Sequence, residues 1–126
     1  MFARLGTRIL APLAMAGMVV SAPVQAQDMS DKQLYDLLLE CGMLHFTLAK
    51  ANEGKPDHAM YENNAGLFLQ AGMAIGGKDS EQTAKDAMEA EKRLRAKAQD
   101  SDASKLENVV GQCERMLPVL QDAMNK

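Results

Sequence analysis

The chain has 126 residues, a formal net charge of −3 and only 4% aromatic residues. A mildly acidic chain of this size does not attract phosphate backbones or anionic lipid heads, which excludes nucleic acid as a partner class. One domain is the natural count for the length, with a stability margin thin enough for a covalent tie to matter.

Residues 1–26 have the grammar of a secretory signal peptide. Arg4 and Arg8 come first, then an apolar run from Ile9 to Val20, then Val24-Gln25-Ala26. Charge, short apolar middle and small residues before the cut are the three parts of an export leader. The run is shorter than the roughly 20 residues that span a bilayer, and Pro12 and Gly17 interrupt it. It therefore reads as a leader cut after Ala26, not as a stable membrane anchor. Its removal takes away two arginines and no acids, so the charge falls to −5. A single helical domain over residues 27–126 remains, expected in the periplasm or secreted by bacterial-type export.

No part of that domain alternates apolar and polar residues as a half-buried strand would. The helical period dominates instead. A first helix is predicted from about Asp28 to Asn52, with Ser30 or Asp31 as cap. Leu34, Leu37, Leu38, Cys41, Leu44, His45 and Leu48 recur at steps of three or four along one face. Tyr35, Leu39, Met43 and Phe46 form a second stripe, so this helix is central in its bundle or serves a partner. Gly54 and Pro56 end it.

Asp57 is the candidate cap of a second helix running to about Ile75. Its small residues, among them Ala65, Gly66, Ala71 and Gly72, allow close backbone approach, although each glycine costs helix stability, up to about 1 kcal/mol. Gly76-Gly77 is the clearest break in the chain. Asp79 followed by Gln82 resembles a capping box for a third helix, about Ser80 to Gln99. Its apolar side is thin (Ala84, Ala87, Met88, Leu94, Ala98). Glu81–Lys85, Glu89–Arg93 and Glu91–Arg95 are spaced for ion pairs of about 0.2–0.5 kcal/mol each.

The turn Asp100-Ser101-Asp102, with Ser101 or Asp102 as cap, leads to a fourth helix. Leu106, Val109, Val110, Cys113, Met116, Leu117, Leu120 and Met124 give it the cleanest amphipathic face in the chain. The fold class expected is all-α, an up-and-down four-helix bundle with short loops. The alternative is a three-helix core with the charged third helix packed loosely.

Cys41 and Cys113 sit mid-face on the first and fourth helices. Two buried cysteines in an exported chain read as one disulfide. That reading removes Cys41 as a metal ligand beside His45, four residues on, and zinc would want two further ligands. His58-x-Met60 is the other soft pair. The remaining methionines are scattered along helix faces, where adaptable packing accounts for them. Gly72–Lys78 imitates a phosphate loop, but Asp79 replaces the Ser or Thr that holds magnesium and no strand precedes it. There is no Cys-x-x-Cys-His, no Glu-x-x-His and no Gly-x-Ser-x-Gly in the sequence, so the usual signatures of haem attachment, a bundle di-iron site and a serine nucleophile are missing. Neither a metal nor a cofactor is expected. Glu40 and Glu62 flank apolar stripes and read as surface acids. His45, Tyr61 and Asn64 are the candidate lining of a small ligand cleft.

In size, export signal and single bridge the chain resembles small helical periplasmic chaperones of the acid-stress type, without a shared motif. The expectation is a non-enzymatic protein acting through contacts with another protein or with itself, in stress or envelope maintenance. The alternative is a small-ligand or metal carrier with a pocket near His45 and Tyr61.

Overall fold

The computed structural model describes residues 29–125; the leader expected over residues 1–26 lies outside them. The described residues form four helices and no strand: α1 (Asp31–Ala51), α2 (His58–Gly76), α3 (Ser80–Gln99) and α4 (Ser104–Met124). They assemble as a four-helix bundle.

Helix α1 starts at a reciprocal cap. The Ser30 hydroxyl accepts from the Gln33 N–H at 3.1 Å, and the Gln33 side chain accepts from the Ser30 N–H at 3.0 Å. Ser30 has extended backbone, so the helix begins after it, three residues later than expected. Residues Leu37 to Gly42 are buried without interruption. Burial all round marks the rod that its neighbours surround. The second stripe runs out at Phe46, which is exposed.

Helix α2 returns along α1. At its start the His58 ring donates from Nδ1 to the Ala49 carbonyl at 2.7 Å; at its end Gly76 lies under the Tyr35 ring. Three glycines permit the close approach. A Cβ at Gly76 would fall 2.7 Å from the Tyr35 ring, at Gly72 3.0 Å from Leu39, and at Gly42 2.8 Å from Leu69. Asp57 does not cap with its side chain; its backbone is already helical, which turns the carboxylate away from the N–H groups it would have to reach. Gly77 closes α2 in the left-handed conformation at φ 62°, where glycine carries no steric penalty.

Helix α3 begins on Asp79, whose carboxylate accepts from the Gln82 N–H at 2.8 Å. Gln82 does not complete the box; its amide reaches Asp86 instead. The buried face is Thr83, Ala87, Ala90 and Leu94. Ala84, Met88 and Ala98 are exposed. The helix is thus rotated from the expected stripe, and it is not loosely attached: Ala90 is fully covered by Tyr35, Leu39 and their neighbours.

The least covered helix is α4. Only Val109 and Cys113 are buried in it. Leu106, Met116, Leu117 and Leu120 are half-buried against the core, and Val119 and Met124 are exposed. Its first turn is capped by neither Ser101 nor Asp102 in the usual place, since Ala103 occupies the cap position; Asp102 accepts from the Ser104 N–H at 3.0 Å. Cys113 is bonded to Cys41, with Cα atoms 5.4 Å apart across a separation of 72 residues.

Closing a loop of that length removes enough unfolded-state entropy to stabilise the fold by about 4 kcal/mol. Reduction, or the pair Cys41→Ala and Cys113→Ala, is expected to shift the denaturant midpoint down by that free energy. Urea unfolding followed by helicity, with and without reductant, measures it.

Candidate functional site

The sequence-predicted cleft residues come together only in part. His45 is buried on α1, where Nδ1 donates to the Cys41 carbonyl at 2.9 Å. Its ring lies 5.1 Å from that of Phe68 and 6.2 Å from that of Tyr61, tilted against both. Asn64 is buried on α2 between them in sequence. The clefts beside Tyr35 and Asp86, beside Leu37 and Val109, and beside Leu44 and Leu94 are lined by none of His45, Tyr61 and Asn64. The sulfur of Cys41 is taken by the bridge. Among the described residues no group of three or more His, Cys, Asp or Glu is placed to hold a metal ion.

The polar chemistry that is present joins α1 to α3. Glu40 is 5% exposed, contrary to the surface position expected of it. One carboxylate oxygen accepts from Arg93 Nε at 2.7 Å and the other from Lys97 Nζ at 2.7 Å. Arg93 also donates to the Asp36 carbonyl at 3.4 Å. A carboxylate this buried needs partners for both oxygens, and two cations supply them. The expected Glu89–Arg93 pair is therefore not made; Glu89 pairs with Lys92 at 3.1 Å. Glu81–Lys85 and Glu91–Arg95 form as spaced, at 4.0 and 3.1 Å. Glu62, by contrast, is exposed, with His58 Nε2 at 3.6 Å.

A second network sits where the start of α1 meets the α2–α3 turn. The buried Tyr35 hydroxyl donates to Asp86 Oδ2 at 2.6 Å. Lys78 reaches the same oxygen at 3.1 Å, and Gln82 the other at 3.0 Å. The Lys78 ammonium lies 4.5 Å from the centre of the Tyr35 ring, a cation–π contact. Burial, then the bond to Asp86, push the Tyr35 phenol up to about 12, while the Thr83 hydroxyl pulls the other way. The bond from Tyr35, then that from Lys78, hold the Asp86 carboxyl below its usual range. The cleft here, of about 530 Å³, is lined by Tyr35, Asp86, Lys78 and Arg93 among others. These groups are matched to one another. A phenol held neutral and a carboxylate held ionised act as fasteners between helices.

The outer face of α2 is different in kind. Between Asp57 and Lys78 the only Asp, Glu, Lys or Arg is Glu62. Ala59, Asn63, Gln70 and Ala74 are exposed there, Met60 is 48% exposed, and Leu67 is half-buried without joining either core cluster. Gly66 lies among them, and a Cβ at this position would meet nothing within 4 Å. Met60 and Leu67 count among the apolar positions of the predicted second helix, and Gly66 and Ala74 among its small ones, but the face is polar as much as apolar. The readable signal is the run without charge. Compared with protein-family models, with curated proteins and with solved structures, the chain matches none of them.

Two consequences of the networks are measurable. Glu40→Ala leaves Arg93 and Lys97 without their counter-ion; both cations are partly solvated, so the loss is expected at about 1–3 kcal/mol, read as a lowered denaturant midpoint. For Tyr35 the folded value stands above the ordinary value near 10, so its contribution is complete below about pH 10 and is lost as pH rises through about 12. Asp86 has the opposite sign: its contribution is present above the ordinary carboxylate range and fades as pH falls through its lowered value. Ultraviolet titration of tyrosinate should show a step near 12 that Tyr35→Phe removes.

Proposed function

We propose that the protein is an exported, non-enzymatic helical bundle that works by touching another protein, with the outer face of α2 as its contact surface. One observation carries this reading. Glu62 is the only Asp, Glu, Lys or Arg between Asp57 and Lys78, and the outer face of α2 exposes Ala59, Asn63, Gln70 and Ala74 with Leu67 outside both core clusters of the described residues. Charge depletion is the compositional mark of an interface core. Export supports the reading through the disulfide, which persists in an oxidising compartment, and through the leader grammar of residues 1–26. The helices are read as an up-and-down series, α1 to α4, with the covalent tie joining first to last. A role in stress or envelope maintenance follows from that location and from the resemblance to small periplasmic helical chaperones.

The test is in the cell. A photo-reactive phenylalanine analogue at Leu67 is expected to give a discrete covalent protein adduct on illumination. The same group at Met88, 62% exposed on the charged α3, should give none. Equal patterns at both positions, or no adduct at Leu67, would remove the reading. The mass of the product recovered from the periplasm should correspond to Gln27–Lys126 with its bridge intact; recovery of the product only in the cytoplasm, with the leader uncut, would remove export.

A further inference from the structure

We propose that the cleft beside Leu37 and Val109 binds a small aliphatic monocarboxylate, its head on Arg93 and Lys97 and its chain along the apolar floor. No residue of α2 lines this cleft, so the proposal stands apart from the contact reading above.

Three helices supply the walls, each through residues one turn apart. On α1 these are Leu37 and Glu40, on α3 Arg93 and Lys97, and on α4 Lys105 and Val109. That spacing puts the members of each pair on one side of their helix. Leu37 and Val109 are buried and make the floor. Met29, half-buried against the same core, extends it. The cleft measures about 550 Å³.

The charges at this cleft do not cancel. Glu40 carries one negative charge, and its two oxygens accept from Arg93 and Lys97, each at 2.7 Å. Two cations on one carboxylate leave one positive charge over. The neighbouring charged groups bring partners of their own. Asp36 is paired with Lys32 at 3.0 Å, Lys105 with Asp100 at 2.9 Å, and Glu89, one turn from Arg93, with Lys92 at 3.1 Å. The surplus therefore sits on Arg93 and Lys97, in a chain whose net charge is −3. Their side chains are 38% and 30% exposed, so water screens it only in part. An arginine offers five N–H donors and a lysine three. Each keeps donors to spare after serving Glu40, and Glu40 holds both heads in place. Donors ordered before a ligand arrives cost little to order when it binds.

The chemistry of the ligand follows. One surplus charge is answered by a monoanion. A planar carboxylate matches the arginine fork. The floor selects an aliphatic remainder, because a hydrated inorganic anion would leave Leu37 and Val109 facing its water. Each methylene laid on that floor tightens binding, up to about fourfold when fully covered.

Octanoate is the probe, added to the bridged protein and followed by nuclear magnetic resonance of backbone and arginine nitrogens. One saturating site is expected, with shifts centred on Leu37, Val109 and the Arg93 side chain. Butyrate, with a shorter chain, and octanol, with the chain but no charge, should each bind at least about tenfold more weakly. Lys97→Gln removes the surplus while keeping an N–H donor for Glu40, and should weaken octanoate about tenfold. Asn108 is exposed at the same cleft. Asn108→Asp should weaken binding and Asn108→Lys strengthen it, and neither touches the Glu40 bonds; helicity and thermal unfolding confirm that each variant keeps its fold. The proposal is overturned if octanoate does not saturate by about 10 mM, if the shifts centre elsewhere, or if octanol binds as well. Parental affinity in both Lys97→Gln and Asn108→Asp overturns it too. Inorganic phosphate that competes at equal strength would show a site for charge alone, which also overturns it.

Discussion

The Cys41–Cys113 bond ties the helix with the most buried surface to the helix with the least. Helix α1 needs less such help, since its middle, Leu37 to Gly42, is buried without interruption. Helix α4 needs more. Its amphipathic stripe is half-covered, and only Val109 and Cys113 are buried. For a domain of this size the apolar surface available for burial is limited. A covalent link across 72 residues replaces stability that packing alone would have to provide, and it does so largely by restricting the unfolded chain.

The three neighbours are held to α1 by three different kinds of interaction. Helix α2 is held by proximity, through glycines that bring backbone against side chain. Helix α3 is held by directional polar bonds: Glu40 with Arg93 and Lys97, and Tyr35 with Asp86. Helix α4 is held by the bridge. The polar bonds are specific in register, because sliding α3 by one turn would leave Glu40 buried without its cations. They fix where α3 sits more than they add to net stability.

Much of this was legible in the sequence. Gly54-Lys55-Pro56, Gly76-Gly77 and Asp100-Ser101-Asp102 mark the three turns because glycine, proline and short polar side chains act locally. The bridge was legible because both cysteines fall mid-face on apolar stripes. Glu40 was not, because its partners are 53 and 57 residues away, whereas Glu89 stands one helical turn from Arg93 and offers the local alternative. The long-range partner wins because a buried carboxylate gains more from the arginine than an exposed one does. The same bonds rotate α3 away from the stripe that counting alanines suggests. In α4 the periodicity was clear, but periodicity reports which side faces inward, not how much is covered. Of the ligand trio, His45 lies near Tyr61 but closer to the ring of Phe68, and helix spacing alone did not reveal that third ring.

The position of the bridge along α4 has a consequence for local opening. Cys113 lies near the middle of the helix, and both buried residues of α4, Val109 and Cys113, fall in its first half up to the bridge. Beyond Cys113 the apolar contacts with the core include the half-buried Met116, Leu117 and Leu120, and Pro118 deprives the Glu114 carbonyl of its backbone donor. With no fully buried side chain after Cys113, this last stretch is expected to open at lower cost than α1. Amide protons there should exchange sooner than those in the buried middle of α1.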